Sequence, residues 1–492
     1  MLNHRTSRRE ALKGLALGAG ALALAPGALL GCRTMASAGA GAVQGWDLVP
    51  GILARIRPPR FRDRDFDITR YGAVAGGTVD CTDAFRRAIA ACHGAGGGRV
   101  VVPAGTFLTG PIHLRSRVNL HVSEGATIQF SNDPARYLPA VFTRWEGVEL
   151  MNYSPLIYAF EQEDVAVTGT GVLDGGGDET HWWPWKGRAE YGWKQGDPMQ
   201  TPARNRLFDM AERGVPPEQR VFGEGDYLRP QFIQPYRCRN VLIEGVTIRR
   251  SPMWEVHPVL CQNVTVRGVR IETHGPNNDG CDPESCRDVL IEDCYFDTGD
   301  DCIALKSGRN ADGRRLATPI ENVVIRNCQM KDGHGGVVIG SEITGGARNV
   351  FAERCRMDSP NLERALRLKT NAMRGGVIDG VYMRDVEVGQ VSDAVLRINF
   401  FYEEGERGPF KPTVRNVVVE RVTCRQSRYG VYLRGFDDHP IRDVRLSDCT
   451  FEQVANGNFA ANVEGLVLEN VRMNGAPVAG VPPRTDVPLD RN

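Results

Sequence analysis

A nine-residue unit recurs through the second half of the chain and limits the folds open to it. Each copy begins with a polar residue or glycine, followed by an apolar residue, any residue and a second apolar residue. Two polar residues or glycines come next, and the copy ends with an apolar residue, any residue and a last apolar residue. The alternation predicts a half-buried strand, and the polar pair in the middle predicts a bend into a second strand. The copies begin 22 to 36 residues apart, at Asn240, Asn263, Asp288, Asn322, Asn349, Gly380, Asn416, Asp443 and Gly465.

A period of this size, with short strands and no long helix, favours a parallel β-helix over a propeller or a leucine-rich array. Coils of such a solenoid stack about 4.8 Å apart, so side chains at matching positions of successive coils form ladders. Near the N-terminus, a helix predicted from Thr82 to the glycine-rich stretch 94–98 is suited to cover the open end of the stack. We therefore predict an all-β fold, a parallel β-helix with an N-terminal capping helix.

The chain is predicted to form one large domain flanked by short segments. Residues 63–480 form the β-helix, residues 33–62 a linker rich in Ala, Gly and Pro, and residues 481–492 a C-terminal tail. An insertion at 178–228 breaks the repeat and is too long for an ordinary corner. Its aromatic residues either pack the insertion against the coil or form a wall of a carbohydrate cleft. They are Trp182, Trp183, Trp185, Tyr191 and Trp193.

Residues 1–32 are typical of an export signal. Arg8 and Arg9 form a twin-arginine pattern ahead of an apolar run, which implies the twin-arginine export machinery. The run ends in a lipobox-like Leu-Leu-Gly-Cys, which predicts lipidation of Cys32, although the small residues at 36–38 offer ordinary cleavage instead. A transmembrane anchor is disfavoured because the run is short and only mildly hydrophobic. We expect a periplasmic or cell-envelope protein that meets the membrane only through this lipid.

The charges of the chain balance. Lysine and arginine total 60, and aspartate and glutamate also total 60. This balance leaves no bulk field that would attract nucleic acid, so we expect no nucleic-acid partner. An acidic substrate must therefore be met by local cations.

The 13 cysteines largely follow the coil repeat. Four occupy one slot within the unit, and three lie two residues before a unit begins, so two ladders of small buried side chains explain seven of them. Disulfide pairing is left open, because connectivity cannot be read from spacing. A metal site is disfavoured, since close CxxC spacing is absent among them. The seven are Cys294, Cys328, Cys355 and Cys449, followed by Cys238, Cys261 and Cys286.

Four polar clusters follow one another at nearly even intervals. Asp300 and His334 lie twelve residues after the start of their units, which predicts contact across adjacent coils. Crowding among the carboxylates raises at least one carboxyl pKa, as a general acid requires near neutral pH. Arg367 and Lys369 alternate around a leucine and can both face outward, where they suit the carboxylate of a uronic acid. The clusters are residues 277–282 (Asn-Asn-Asp-Gly-Cys-Asp), 299–301 (Gly-Asp-Asp), 333–336 (Gly-His-Gly-Gly) and 367–369 (Arg-Leu-Lys).

Taken together, these motifs resemble glycoside hydrolase family 28, the polygalacturonase family. The Asn-Thr-Asp, Gly/Gln-Asp-Asp, Gly-His-Gly and Arg-Ile-Lys motifs of that family match the four clusters, with Asn278 in place of Thr and Leu368 in place of Ile. The resemblance runs from Asp67 to about Met473. It implies a right-handed, single-stranded parallel β-helix that hydrolyses pectin with inversion, and no cofactor or metal is expected.

The resemblance also implies roles for individual residues. Asp300 is expected to be the general acid, Asp279 and Asp301 the bases that activate water, and His334 a partner that tunes the acid. Arg367 and Lys369 are expected to bind the substrate carboxylate. Further cleft or substrate-binding residues are expected at Asn277, Lys306, Ser341, Glu342 and Tyr402.

We therefore predict an exported hydrolase that cleaves α-1,4-linked galacturonic acid in pectin or oligogalacturonates. The insertion at 178–228 would close one end of the cleft and favour exo action. Three alternatives stay open: a hydrolase of rhamnogalacturonan or substituted galacturonan, a calcium-dependent pectate lyase, and a non-catalytic β-helix that binds polysaccharide. Arg367 and Lys369 favour a uronate at the cleaved position, and the carboxylates beside His334 favour hydrolysis over elimination.

Overall fold

The computed structural model describes residues 45–481. The predicted export signal at 1–32 with Cys32, the first part of the linker, and residues 482–492 of the predicted tail lie outside the described residues. Within residues 45–481, no helix is long and apolar enough to cross a membrane.

A sheet of 24 strands, named here the back sheet, runs along the molecule. Successive coils pair in parallel and in register, so that Val241, Val264, Val289 and Val323 are partners at one position of the repeat. The two strands of each nine-residue unit both belong to this sheet. Its strands are Asp65–Asp67, Gly98–Val102, Gly105–Thr109, Val118–Val122, Ala126–Phe130, Glu163–Gly169, Val172–Asp174, Arg239–Glu244, Thr247–Arg249, Gln262–Arg267, Arg270–Thr273, Arg287–Glu292, Tyr295–Thr298, Ile320–Arg326, Gln329–Met330, Ala347–Glu353, Arg356–Met357, Val377–Gln390, Thr413–Gln426, Val444–Ser447, Thr450–Phe451, Val467–Glu469, Val471–Met473 and Ala476–Val478.

A second ladder of parallel strands, named here the cleft sheet, carries the polar clusters. It has a three-stranded and a six-stranded part, which single bridges connect from Ile233 through Val256 and Cys281 to Ile303. Its strands are Ile112–His113, Ile157–Phe160, Ile233–Tyr236, Ile303–Leu305, Val337–Ile339, Arg364–Lys369, Ala394–Asn399, Tyr429–Arg434 and Phe459–Ala461. Outside the two sheets, the strand Val141–Trp145 forms a hairpin with Val148–Asn152, and Ile441–Arg442 pairs with Val463–Glu464.

Apolar side chains from both sheets point inward and form one continuous core along the solenoid. The chain is thus a right-handed, single-stranded parallel β-helix, as predicted. The expected capping helix is α2, which follows a seven-residue helix, α1 (Val49–Arg55), and spans Thr82–Gly94. It buries Phe85 and Ile89 in the same core, and the Asp80 carboxylate accepts the Thr82 amide proton at 3.0 Å.

Left-handed residues recur at two fixed positions of each nine-residue unit. The first residue of a unit has a positive φ, as at Asn322 (57°) and Asn349 (55°), and so has the sixth, as at Asn327 (55°). Asn, Asp and Gly tolerate this conformation best. Side-chain hydrogen bonds join neighbouring coils at the first position: Asn349 Nδ2 donates to Asn322 Oδ1 at 3.0 Å, and Asn322 Nδ2 donates to Asp288 Oδ1 at 3.1 Å.

The cysteines of residues 45–481 are buried and unpaired. Most of their thiols lie against backbone carbonyls, as for Cys294 Sγ, 3.2 Å from the Glu292 carbonyl oxygen. The cysteines that lie two residues before a unit form a ladder, as predicted. Cys261 Sγ accepts the Cys238 amide proton at 3.4 Å, and Cys286 Sγ accepts the Cys261 amide proton at 3.3 Å. These side chains fill small, regular places in the coil.

Part of the segment predicted as a linker, 33–62, is packed on the back sheet. Val49, Ile52 and Ile56 bury their side chains against Leu290, Val324 and Phe351. The apolar residues recur every three or four positions, which gives α1 one apolar face. At the end of α1, Arg55 forms an ion pair of 2.7 Å with Asp288.

The insertion at 178–228 folds into its own small layer beside the cleft sheet. Its longest element is α3 (Thr201–Glu212), whose buried Leu207 packs against Trp145 and Leu150 of the hairpin. A short helix after the Ile303 strand, α4 (Asn310–Leu316), contacts α3. The 3-10 turns within residues 45–481 are Gly45–Leu48, Ile68–Tyr71, Pro134–Tyr137, Trp183–Lys186, Ala189–Tyr191 and Pro217–Gln219.

Candidate active site

The register of the cleft sheet brings the four polar clusters together. Cys281 bridges Ile303, which pairs with Val337, which pairs with Leu366. The turns that precede these residues, and the strand Arg364–Lys369, therefore lie on consecutive coils. The structure thus confirms that the four clusters stack on one face of the solenoid.

Three carboxylates form the centre of the site. Asp279, Asp300 and Asp301 each present an oxygen within 4.8 Å of the others. Their exposure differs: the side chain of Asp300 is 17% exposed, that of Asp279 is 4% and that of Asp301 is fully buried. Asp300 is thus the member of this group that a bound ligand reaches most easily.

Asp300 forms a close pair with His334. The imidazole Nδ1 lies 2.9 Å from Asp300 Oδ1, and the Asp301 amide also donates to this oxygen at 3.0 Å. Burial opposes ionisation of Asp300, but the charge and hydrogen bond of His334, together with Lys369 and Lys186, offset it and hold the pKa of Asp300 well below its usual range. The Asp300 carboxylate in turn raises the pKa of His334 to about 9.

The second carboxylate, Asp301, is held by the two predicted substrate-binding cations. Lys369 Nζ donates to Asp301 Oδ2 at 2.7 Å, and Arg367 Nη1 lies 3.8 Å from Oδ1. Both cations lie next to the ring of Tyr402, with centroid distances of 5.6 Å for Arg367 and 5.4 Å for Lys369. The structure therefore places the predicted tyrosine beside the predicted cations, over one side of the cleft.

The third carboxylate, Asp279, lies in a buried group of acids, one of which, Glu255, was not predicted from the sequence. Burial, followed by the charges of Asp282 and Asp300, raises its pKa well above the usual range. Burial also raises the pKa of Asp282 and of Glu255, whose two carboxylate oxygens have no hydrogen-bond partner within residues 45–481. Asp282 belongs to the first polar cluster, but no local motif singles out Glu255.

Lys306 and Glu342 were predicted to line the cleft, but they lie buried beneath the carboxylates. Lys306 Nζ is 3.5 Å from Asp279, 3.5 Å from Asp282 and 3.4 Å from Glu342. The predicted Ser341 donates its hydroxyl proton to Glu342 at 3.0 Å. These side chains lie under the reactive face, where the Lys306 ammonium group offsets the negative charges of the acids around it. Lys306 and Lys369 give the acids two positive charges, as many as a divalent cation would.

Asn277 connects the catalytic turn to the insertion. Its Oδ1 accepts hydrogen bonds from Lys186 Nζ at 2.7 Å and from Arg229 Nη2 at 2.9 Å, while its Nδ2 is 3.5 Å from Asp300 Oδ2. Arg229 is fully buried and also donates to the backbone carbonyl of Pro276 at 2.6 Å. Sequence reasoning missed Lys186 and Arg229, because both precede the repeat that identified the other site residues.

The aromatic residues of the insertion have mostly a packing role. Trp182 is buried against Tyr137 and Trp185, and Trp183 Nε1 donates to the Ser251 carbonyl at 2.8 Å. Tyr191 differs, because the Asp300 carboxylate is among the charges that, with burial and Glu190, raise its pKa. Packing thus accounts for Trp182 and Trp183, whereas the interpretation of the insertion as a cleft wall stays a prediction. The insertion meets the catalytic turn at Lys186, whose Nζ donates to Asn277 Oδ1 at 2.7 Å.

Known proteins share both the sequence and the architecture. A family model, glycosyl hydrolases family 28, matches residues 224–467. The crystal structure of a hyperthermoactive exopolygalacturonase from Thermotoga maritima is 49% identical, with a TM-score of 0.84, and the match covers 87% of this chain and 96% of that one.

More distant relatives agree with this assignment. A probable polygalacturonase of Vitis vinifera is 27% identical over 82% of this chain and 78% of its own length. An exo-poly-α-D-galacturonosidase of Dickeya chrysanthemi is 26% identical over 73% of this chain and 62% of its own length. The chain belongs to glycosyl hydrolases family 28 and is a glycoside hydrolase of the polygalacturonase type.

Proposed function

We propose that this protein hydrolyses α-1,4 linkages of galacturonan by acid–base catalysis at Asp300, Asp279 and Asp301. The observation that carries this proposal is the proton-holding pair of Asp300 and His334 beside a buried carboxylate, Asp301, flanked by two cations. Glycoside hydrolysis needs an acid for the leaving oxygen and a base for water, and the cations suit a sugar that carries a carboxylate.

In this mechanism the pair of Asp300 and His334 holds one proton near neutral pH. The proton rests on His334, whose pKa is raised, and passes through Asp300, the most exposed of the three carboxyl groups, to the glycosidic oxygen as the bond from that oxygen to the anomeric carbon breaks. Water adds to the anomeric carbon and loses its proton to Asp279 or Asp301. The negative charge left on Asp300 is stabilised by Lys369, which its ion pair with Asp301 already holds in place.

We further propose that the configuration at the anomeric carbon is inverted. The nearest carboxylate oxygens lie within 4.8 Å of one another, closer than the roughly 6.5–9.5 Å between carboxyl groups of most inverting enzymes. Burial argues the other way and is the stronger indication, because both bases are too enclosed to bond to a sugar carbon, whereas Asp279, 4% exposed, still leaves room for a water molecule. Proton NMR during hydrolysis tests this: the first product should be the β-anomer, and initial α-anomer would contradict inversion.

Exo action is supported by the insertion and by the relatives. The insertion reaches the catalytic turn through Lys186, and two of the similar proteins are described as exo-acting. Incubation with polygalacturonic acid and a chelator should release galacturonate or its dimer from the outset, with little loss of viscosity. An early ladder of longer oligomers would contradict exo action. Ultraviolet-absorbing products that form only when calcium replaces the chelator would indicate a lyase. Asp300→Asn is the control that should release nothing.

We also propose export by the twin-arginine route and lipid attachment at Cys32, as the sequence predicts. In a bacterial host, Arg8→Lys with Arg9→Lys should leave the protein in the cytoplasm. Cys32→Ser should abolish incorporation of labelled palmitate. Export that persists in the double lysine variant, or lipid label that persists in Cys32→Ser, would overturn the corresponding part.

A further inference from the structure

Lys186 reaches the catalytic group from outside the coil repeat. It ends the 3-10 turn Trp183–Lys186, which Trp182 and Trp183 anchor to the solenoid. Its side chain is half-buried, and Nζ donates to Asn277 Oδ1 at 2.7 Å. Asn277 Nδ2 is in turn 3.5 Å from Asp300 Oδ2, so the ammonium group lies beside the proposed acid, on its Oδ2 side.

The ammonium group of Lys186 lacks the carboxylate partner that the other lysines of the site have. Lys306 has three carboxylates within 3.5 Å, and Lys369 has Asp301 at 2.7 Å. Within residues 45–481, Lys186 has no ion pair, and its one hydrogen-bond partner is a neutral amide oxygen. An ammonium group has three donors, and a half-buried cation with no anion in contact is costly. The carboxylates of Glu146 and Asp300 act on Lys186 only from beyond ion-pair distance. Burial and the charge of Arg229 lower its pKa to about 8.

Lys186 and the two cations Arg367 and Lys369 lie on opposite sides of the acid. Lys186 contacts the coil of Asn277, whereas Arg367 and Lys369 lie three coils further along, one coil beyond His334. Three coil steps are on the order of 14 Å along the solenoid. This is the separation of the backbones, and Lys369 Nζ reaches back to Asp301 on the coil of Asp300. The two sets of cations nevertheless approach Asp300 from opposite directions along the solenoid, so they suit two different sugars.

We propose that Lys186 binds the carboxylate of the uronic acid on the opposite side of the scissile bond from the one held by Arg367 and Lys369. The substrate class is then a chain with uronic acids on both sides of the cleaved bond, which is homogalacturonan and excludes an alternating uronate and neutral sugar. This inference deepens the proposed function and rests on it. The bound carboxylate completes the set of partners of Lys186 and remains close to Asn277.

Digalacturonic acid and its two monomethyl esters test the proposal, because each ester removes the charge of one of the two sugars. The ratio of kcat/KM for the acid to kcat/KM for each ester is measured in wild type, Lys186→Met and Lys369→Met. Lys186→Arg keeps a cation at the same place. Lys194→Met is the matched control, since Lys194 is an exposed lysine of the same insertion.

Wild type should discriminate against both esters, by on the order of 10-fold for each lost ion pair. Lys186→Met should raise KM for the acid and lose discrimination against one ester. Lys369→Met should lose discrimination against the other ester. Lys186→Arg and Lys194→Met should discriminate against both esters as wild type does. Discrimination against both esters that persists in Lys186→Met would overturn the proposal, since a lysine that only positions Asn277 would slow all three substrates alike.

Binding separates this proposal from the proposed function. If wild type does not cleave polygalacturonic acid, the proposed function fails. In that case, or if cleavage stops at the dimer, calorimetric titration of digalacturonic acid into Asp300→Asn still tests Lys186. Weaker binding in Asp300→Asn with Lys186→Met would support the lysine contact. Equal binding with and without Lys186→Met would overturn it.

Discussion

His334 Nδ1 lies 2.9 Å from Asp300 Oδ1, and this contact joins two adjacent coils of the cleft sheet. Each group shifts the other: the imidazole lowers the pKa of Asp300, and the carboxylate raises the pKa of His334 to about 9. The pair therefore behaves as one acid that keeps its proton through neutral pH.

The pH profile of kcat/KM should report this pair on its alkaline side. The proton is present below about pH 9 and is lost as the pH rises through that value, so activity should fall there. The acid side should lie above the usual carboxyl range of about 4, because the pKa of Asp279, a proposed base, is raised by burial. His334→Asn should move the alkaline side to lower pH, since Asp300 would then hold its proton alone. An alkaline side that does not move would contradict the pairing.

Asp300→Asn should abolish hydrolysis while the fold persists. The amide cannot give a proton to the glycosidic oxygen, and general acid catalysis contributes on the order of 100- to 10,000-fold. Circular dichroism and the thermal midpoint should stay close to wild type, because the Asp300 side chain lies at the surface of the cleft and not in the core. Activity like that of wild type in this variant would remove Asp300 from the acid role.

Lys369→Met and Arg367→Leu should differ in stability, although both raise KM for oligogalacturonates. Lys369→Met leaves the fully buried Asp301 without its 2.7 Å partner, and breaking a buried pair costs about 3 kcal/mol of unfolding free energy. Arg367 lies 3.8 Å from Asp301, so its loss should cost less. Lys411→Met, which removes a surface pair with Asp438, is the control and should cost under about 1 kcal/mol. Equal losses in all three variants would contradict the buried pair.

The left-handed corner at Asn322 should tolerate glycine better than alanine. Both substitutions remove the hydrogen bonds to Asp288 and from Asn349, but alanine also carries a strain of about 1–2 kcal/mol at a φ of 57°. In denaturant unfolding, the free energy of unfolding of Asn322→Gly should therefore be about 1 kcal/mol higher than that of Asn322→Ala. If alanine proves the more stable of the two, backbone strain does not govern this corner.

The coil and its catalytic clusters were predictable because both depend on the repeat. The unit that contains Asp288 and the unit that contains Asn322 set Asp300 and His334 at equal offsets, and parallel register turned that offset into contact. Lys306 was predicted as a site residue, but its burial was not, since burial depends on how neighbouring coils cover a strand. Lys186 belongs to no repeat, and its place depends on how the insertion folds back to meet Asn277.

The unpaired cysteines bear on when the protein can finish folding. Twelve thiols lie within the described part of the chain, packed at regular places in the coil, and none of them needs an oxidant to reach its native state. A chain of this kind can mature completely in a reducing cytoplasm. The twin-arginine route, proposed here for export, translocates proteins that have already folded, so the thiol-lined solenoid and the proposed signal make compatible demands on the cell.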